Sequence, residues 1–283
     1  MKKILIFGSK GMLGTDVSQV FQNKGYEVYG TTHTECDIRS WDQVISTIQN
    51  IHPDGIINCA SYTQVDKAEE ETEQAFNINA YGAEYIARGA KEYNIPVVQI
   101  STNYVFAGDQ EDPYKETDTP NPISVYGQSK LRGEELVQEY NHRHYIVRTS
   151  NLYGVHGKNF VQTMLKLAQE RESLQVVSDQ IGNPTYTQDL AQAIEALLSD
   201  QAEYGIYHLT NRTPTDAGIS WYHFAKKIME NRGMPIKVVP IASEDFPQPA
   251  SRPRQGTLTN TKRPHLRHYQ EALDTFLADH LGV

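Results

Sequence analysis

Short runs of β-branched and other apolar residues alternate with longer polar, alanine-rich stretches through the first half of this chain. Lys3–Phe7, Glu27–Gly30, Gly55–Asn58, Val97–Ser101 and Tyr145–Arg148 have the length and composition of strands. Between them lie helix-length segments at Leu13–Lys24, Trp41–Ile51, Thr72–Tyr93 and Tyr126–Tyr140. Strand, helix, strand at this spacing predicts βαβ units in a parallel sheet, and right-handed crossovers place helices on both faces. The expected fold class is α/β, a doubly wound parallel sheet over residues 1–150 with strand one central. Residues 108–124, with Gly108, Pro113, Pro120 and Pro122, interrupt the pattern as a long loop, and long loops in compact domains are often functional. After Asn151 the alternation weakens. Helices are expected at Phe160–Glu170, Thr187–Leu198 and Ser220–Asn231, strands at Gln175–Val177 and Tyr207–Leu209, and a stretch rich in Pro and Arg at 240–264. The segment 151–283 is expected to form a smaller α/β lobe, with interleaving between the two left open.

Composition narrows the partners. The 283 residues carry a formal net charge of −9. Such a surface repels a phosphate backbone, so the expectation is no nucleic-acid partner. The apolar run Ile4–Phe7 is too short for a signal-peptide core, and no stretch approaches the ~18 apolar residues of a membrane helix. The two cysteines, Cys36 and Cys59, form neither a disulfide framework nor a metal-ligand spacing. The closest histidine pairs, His142/His144 and His265/His268, lack an accompanying Cys or acidic cluster. These features predict a cytoplasmic protein with reduced thiols, no membrane partner and no metal.

The chemistry begins at Gly8-Ser9-Lys10-Gly11-Met12-Leu13-Gly14, directly after the first strand and at the start of the first helix. Glycines there permit a tight turn and close approach of backbone to a pyrophosphate, which the free N–H groups of the helix start would face. A glycine triplet alone also suits a plain turn packing helix on strand; its placement makes it a dinucleotide-binding signal and the sheet a Rossmann domain. Tyr126-Gly127-Gln128-Ser129-Lys130 follows the fourth strand, which ends in Ser101-Thr102. Residues four apart share a helix face, and an ammonium beside a phenol is expected to lower the phenol's pKa toward neutrality. A second Tyr-x-x-x-Lys, Tyr222 to Lys226, lies far from the glycine loop in the chain, where Trp221, Phe224, Ala225 and Ile228 read as core. It is set aside as a decoy.

These motifs resemble the extended branch of the short-chain dehydrogenase/reductase superfamily, and within it the dTDP-4-dehydrorhamnose reductase family. The resemblance runs from residue 1 to about 258 and rests on Ser101–Phe106, Tyr126–Glu134, Asn58–Thr63, Val65–Glu69, Gly182–Thr185 with Asp189–Ala191, and Arg252-Pro253. It implies a catalytic set of Thr102, Tyr126 and Lys130, in which Tyr126 protonates a sugar C4 oxygen while hydride arrives from a nicotinamide. It implies cofactor contacts from Gly8, Lys10, Gly11, Met12, Leu13, Gly14, Thr31, Asp37, Ile38, Cys59, Ala60, Ser61, Tyr126 and Lys130. It implies nucleotide-sugar contacts from Val65, Asp66, Tyr104, Asn151 and Arg252, the last a planar fork suited to pyrophosphate. A homodimer is compatible with all of this.

Some residues depart from the family pattern. Asn103 replaces an Asp, Asn151 stands where a Trp usually contacts the sugar, and Arg254-Gln255-Gly256 lacks an Asn-Ser. The substrate is therefore less determined than the reaction. Another nucleotide-sugar reductase or epimerase is one alternative. A non-catalytic NADP-binding regulatory subunit, like that of methionine adenosyltransferase, is the other. A dehydratase would place an acidic pair after the active-site threonine, where this chain has Asn103 and Tyr104. For Glu69–Glu73 the bland expectation is a solvated helix start. The exit of the second strand, Thr31-Thr32-His33, has no carboxylate before Glu35 and Asp37, so nothing there repels a 2′-phosphate. With Lys10 and the threonine hydroxyls nearby, NADP(H) is expected over NAD(H), with activity on both.

Overall fold

The computed structural model describes residues 2–281, without the side chains of His280 and Leu281. Six strands form one parallel sheet: β1 (Lys3–Phe7), β2 (Glu27–Thr31), β3 (Gly55–Asn58), β4 (Val97–Thr102), β5 (His144–Thr149) and β6 (Gly205–His208). Their order is β6-β5-β4-β3-β1-β2, every neighbour parallel. β1 is thus interior but one strand from an edge, not at the centre as expected. A single crossover, from β1 to β2, builds the sheet on that side, while all later crossovers build it on the other.

β1 shows why the sheet is double-faced. Ile4 and Ile6 join one core with Val17 and Phe21 of the first helix, α1 (Met12–Asn23), while Leu5 and Phe7 join another with Val44, Ile48 and Ile86. Side chains alternate across a strand, so an unbroken apolar run is what covering both faces demands. The helix Trp41–Ile51 starts at Ser40, whose side chain accepts from the Gln43 N–H. Residues 72–92 form one helical run, but the expected regular helix is interrupted by a π-helical turn at Asn77–Tyr81. The helix that carries Tyr126 spans Val125–Tyr140.

The chain beyond residue 150 feeds two units. β6 pairs with β5, and the helix Thr187–Ser199 packs Leu190, Ile194 and Leu197 into the α1 core. Helices Phe160–Glu170, Trp221–Asn231 and Tyr269–Leu281 surround a separate core of Tyr153, Phe224, Ile228 and Phe276, beside the parallel pair Ser173–Val177 and Lys237–Ile241. The last of these helices and the strand Lys237–Ile241 were not expected. Long-range bridges Tyr114–Leu258 and Ile181–Gln255 bind the 108–124 loop and the C-terminal arm to the body. Among the described residues no helix is long and apolar enough to cross a membrane, and no group of three or more His, Cys, Asp or Glu could hold a metal.

Candidate active site

The glycine loop lies at the carboxyl end of β1, where strand order reverses and open α/β sheets bind ligands. Gly8 has φ +76°, and a Cβ there would sit 2.7 Å from the Ala60 nitrogen; at Gly14 it would sit 2.1 Å from the Gly8 oxygen. Only bare backbone fits between β1, β3 and α1. No side chain caps α1 and its first turn holds no acid. Ser40 and Ser124, by contrast, cap the helices at Trp41 and Val125. The first N–H groups of α1 therefore face the cleft, with the positive end of the helix dipole behind them.

That cleft, about 700 Å³, is bordered by Gly8, Lys10 and Gly11 on one side, Asp37 and Ile38 on another, and Cys59, Ala60 and Ser61 on the third. Met12 and Leu13 open α1, Leu13 being buried in its core and Met12 lying against Gly154. Thr31 is a correction. Its side chain is buried with the hydroxyl unpartnered, and its carbonyl accepts from the Gly8 and Ser9 N–H groups at 2.9 and 3.1 Å. It cannot donate to a phosphate in the cleft, because strand register turns it inward. Thr32, His33 and Arg39 line the cleft instead, Arg39 forking onto Asp37 (2.9 Å from Nε to Oδ1, 2.6 Å from Nη2 to Oδ2). Nothing in the spacing singled out His33 and Arg39, which the turn after β2 brings back to the cleft.

Thr102, Tyr126 and Lys130 converge at the end of β4. The Thr102 side chain stands beside the Tyr126 phenol, its own hydroxyl donating to Asn103 Oδ1 at 3.3 Å, and the Tyr126 ring meets Tyr104 edge-on at 5.6 Å. Burial pushes the phenol up to about 12, against the pull of Thr102. Lys130 is buried, brought down to about 8 by desolvation against the opposing charge of Glu134, and its Nζ donates to the Ile100 carbonyl at 2.6 Å. The expected lowering of Tyr126 by Lys130 is corrected here. A buried ammonium requires an acceptor, and backbone supplies it in place of the phenol.

Two neighbouring segments hold this arrangement. Asn79, in the π-helical turn, accepts from the Tyr62 N–H (2.8 Å) and Ser61 hydroxyl (2.9 Å) and donates to the Ser129 hydroxyl (2.9 Å). It ties the loop after β3 to the catalytic helix, and π-turns concentrate at functional sites. Glu69 accepts from the Val125 N–H at 2.9 Å, and Glu71 from the Tyr62 hydroxyl at 2.8 Å. The solvated reading of these acids is thus overturned for both.

The sugar-side residues also meet. Asp66 and Arg252 form a bidentate pair (3.0 and 2.7 Å), with Tyr104 close by. Arg252 holds the Asp66 carboxyl below its ordinary range. The Arg252 fork, expected free for pyrophosphate, is occupied by a carboxylate 186 residues away in sequence. Val65 opens the short helix that carries Asp66. Asn151 has φ +48° and stands against Gly182. Asn103 donates to the Gly256 carbonyl at 2.9 Å, fastening the end of β4 to the C-terminal arm. The decoy pair Tyr222 and Lys226 borders a separate hollow of about 260 Å³, with Lys226 exposed.

A dinucleotide cradle on β1, facing a Thr–Tyr–Lys set where β4 meets the following helix, is the organisation of the short-chain dehydrogenases/reductases, and this fold and site place the chain in that class. Within it, the family model described as RmlD substrate binding domain matches residues 1–281, and the chain belongs to that family. It is 40% identical to the spore coat polysaccharide biosynthesis protein SpsK of Bacillus subtilis, over 99% of this chain and 98% of that one. It is 39% identical to the dTDP-4-dehydrorhamnose reductase of Aggregatibacter actinomycetemcomitans, over 93% of this chain and 92% of that one. The crystal structure of dTDP-4-dehydrorhamnose reductase from Bacillus anthracis in complex with NADP superimposes with a TM-score of 0.94 at 38% identity, covering 99% of this chain and 100% of that one.

Proposed function

We propose that this chain is an NADPH-dependent reductase that converts the C4 keto group of dTDP-4-dehydrorhamnose to the alcohol of dTDP-L-rhamnose. The observation that carries the reading is the convergence of Thr102, Tyr126 and Lys130 at the end of β4, with Lys130 buried and its ammonium held on the Ile100 carbonyl. The dinucleotide would supply hydride. The bare backbone at Gly8 and Gly14 and the uncapped start of α1 fit its pyrophosphate. Lys10 supplies positive charge beside the cleft, and His33 and the Asp37-paired Arg39 supply donors near the end of β2, which favours a 2′-phosphate and hence NADP(H) over NAD(H).

The chain's own groups handle the proton. Tyr126, protonated throughout the neutral range with its phenol near 12, is placed to donate to the developing C4 alkoxide. Thr102, beside that phenol, would offer a second hydroxyl to the same oxygen. Lys130, charged below about 8 and held on the Ile100 carbonyl, would offer its remaining donors to the ribose hydroxyls of the cofactor rather than to the phenol. Asn103 is committed to the Gly256 carbonyl, so no acid–base pair for elimination stands beside Thr102, and reduction is favoured over dehydration. Tyr104, Val65 and the Asp66–Arg252 pair border the sugar side, with Asn151 presenting a small amide there. The test is oxidation of NADPH over a panel of 4-keto nucleotide sugars: consumption with the dTDP-4-keto-6-deoxy sugar and formation of the C4 alcohol is the expected result. Binding of NADPH without turnover on any member would replace this reading with a regulatory one.

A further inference from the structure

The first turn of the catalytic helix is held on both sides of Tyr126. The Ser124 hydroxyl accepts from the Gly127 N–H at 3.2 Å, and Glu69 Oε1 accepts from the Val125 N–H at 2.9 Å. Helix starts leave their first N–H groups without internal partners, and a helix ordinarily answers them locally, with a capping serine and a Glu or Gln three residues on. Here that position is Gly127, where a Cβ would sit 2.2 Å from the Tyr104 carbonyl oxygen. The close approach of the helix to the turn after β4 thus excludes a side chain where the local acid belongs. The first turn holds no acid of its own, and the carboxylate comes instead from 56 residues earlier in the chain. The segment that supplies it is itself anchored. Asp66 accepts from the Ala250 N–H at 3.2 Å and pairs with Arg252, while Glu71 accepts from the Tyr62 hydroxyl and pairs with Lys67 at 2.6 Å. Tyr62, Ala68 and Ala75 form a buried apolar bed against which Val125 and Tyr126 pack.

We infer that Glu69 is a positioning residue of the proposed reductase: by accepting the Val125 N–H it fixes the start of the catalytic helix and so sets where the Tyr126 phenol stands relative to the reacting oxygen. The inference rests on the reading of Thr102, Tyr126 and Lys130 given above. Glu69 acts through the backbone one residue before Tyr126 and needs no contact with substrate. A misplacement of about 1 Å at a reacting group costs roughly a hundredfold in rate. The grip on the cofactor lies elsewhere, at Gly8 and Gly14, and Lys130 stays buried on the Ile100 carbonyl. Loss of the Glu69 bond therefore acts on turnover and spares binding.

The experiment compares Glu69→Ala, Glu69→Gln and Glu70→Ala with wild type in kcat, in KM for the nucleotide sugar and in NADPH affinity. Fluorine NMR of fluorotyrosine-labelled protein accompanies it, the Tyr126 line being assigned by its loss in Tyr126→Phe. Glu69→Gln keeps an oxygen acceptor at the same reach, and Glu70 is the exposed acid next door. In Glu69→Ala kcat should fall roughly ten- to hundredfold, with KM and NADPH affinity within a few-fold of wild type and the Tyr126 line displaced or broadened. Glu69→Gln should recover most of the turnover and the wild-type line, and Glu70→Ala should match wild type throughout. A folded Glu69→Ala with wild-type kcat and an unmoved Tyr126 line would overturn the inference. So would a Gln variant as impaired as the Ala variant, which would trace the loss to charge rather than to the bond. If Glu69→Ala does not fold, Glu69→Asp, one methylene short, takes its place: turnover lost in Asp and kept in Gln supports the inference, and the reverse overturns it. Absence of turnover in the wild type would instead count against the proposed reaction, while the Tyr126 line still decides the role of Glu69.

Discussion

Two helices of this chain carry a tyrosine followed four residues later by a lysine, and their surroundings differ in every respect that matters to chemistry. On Val125–Tyr140 the tyrosine lies beside Thr102 and the lysine is buried against a carbonyl, at the end of β4. On Trp221–Asn231 the tyrosine packs edge-on to His223, and the lysine reaches solvent with Glu230 at 3.9 Å. The first helix abuts the end of a central parallel strand, whose Ile100 carbonyl and Ser101 hydroxyl engage Lys130 and Glu134 of that helix. The second covers a local core of aliphatic and aromatic residues and meets no strand end of the main sheet. Pattern alone confers nothing; a sheet edge that supplies acceptors, donors and desolvation makes a Tyr–Lys pair reactive.

Perturbing the cradle should separate the two helices most strongly. Gly8→Ala forces a Cβ to within 2.7 Å of the Ala60 nitrogen at a φ of +76°. Calorimetric titration should then show NADPH affinity falling by roughly two orders of magnitude, from strain and clash together. Lys226→Met, on the decoy helix, should leave that affinity untouched. A Gly8→Ala protein that binds NADPH normally would mean the cofactor does not pass over this turn.

The next effect is on the sugar side. Arg252→Ala removes a fork that bridges Asp66 and the Ala250 carbonyl. KM for the nucleotide sugar should rise about tenfold with kcat within a few-fold, the signature of lost uniform binding. An effect confined to kcat would move Arg252 into the chemistry. The same pair predicts a stability change. Asp66 has a folded pKa depressed by Arg252, so its contribution is present above the unfolded carboxylate value of about 3.9 and lost as pH falls through the folded value. The acid side of the Tm-against-pH curve should flatten in Arg252→Ala relative to wild type.

The smallest effect should be on cofactor choice. Lys10→Ala should cut the preference for NADPH over NADH by roughly fivefold, as expected of one exposed charge near a phosphate. Competing fluorescence titrations of the two cofactors check this, and an unchanged ratio would assign the 2′-phosphate to His33 and Arg39 alone.

Much of the first helix's setting was legible in the residues. β1 and β3 have the expected bounds, because strands buried on both faces read as unbroken apolar runs, and the catalytic helix begins within one residue of Tyr126. The glycine loop was legible because its conformation excludes side chains. What was not legible depended on distant partners. Asp66 and Arg252 lie 186 residues apart, and neither discloses the other. The inward turn of Thr31 hangs on one residue of register at a strand end. The helix Tyr269–Leu281 carries its signal in Ala272, Leu273, Phe276 and Leu277, at helical spacing, all facing a core assembled from elements far away in sequence. The π-turn that presents Asn79 has no local sequence mark.

The most direct test of the account is turnover of NADPH with dTDP-4-dehydrorhamnose by wild type, Tyr126→Phe and Tyr222→Phe, measured side by side with cofactor affinity. The account predicts that Tyr126→Phe binds NADPH nearly as wild type does but turns over roughly 10²–10⁴-fold more slowly, the worth of a positioned general acid, while Tyr222→Phe behaves as wild type. Equal losses in the two variants, or an active Tyr126→Phe, would contradict it.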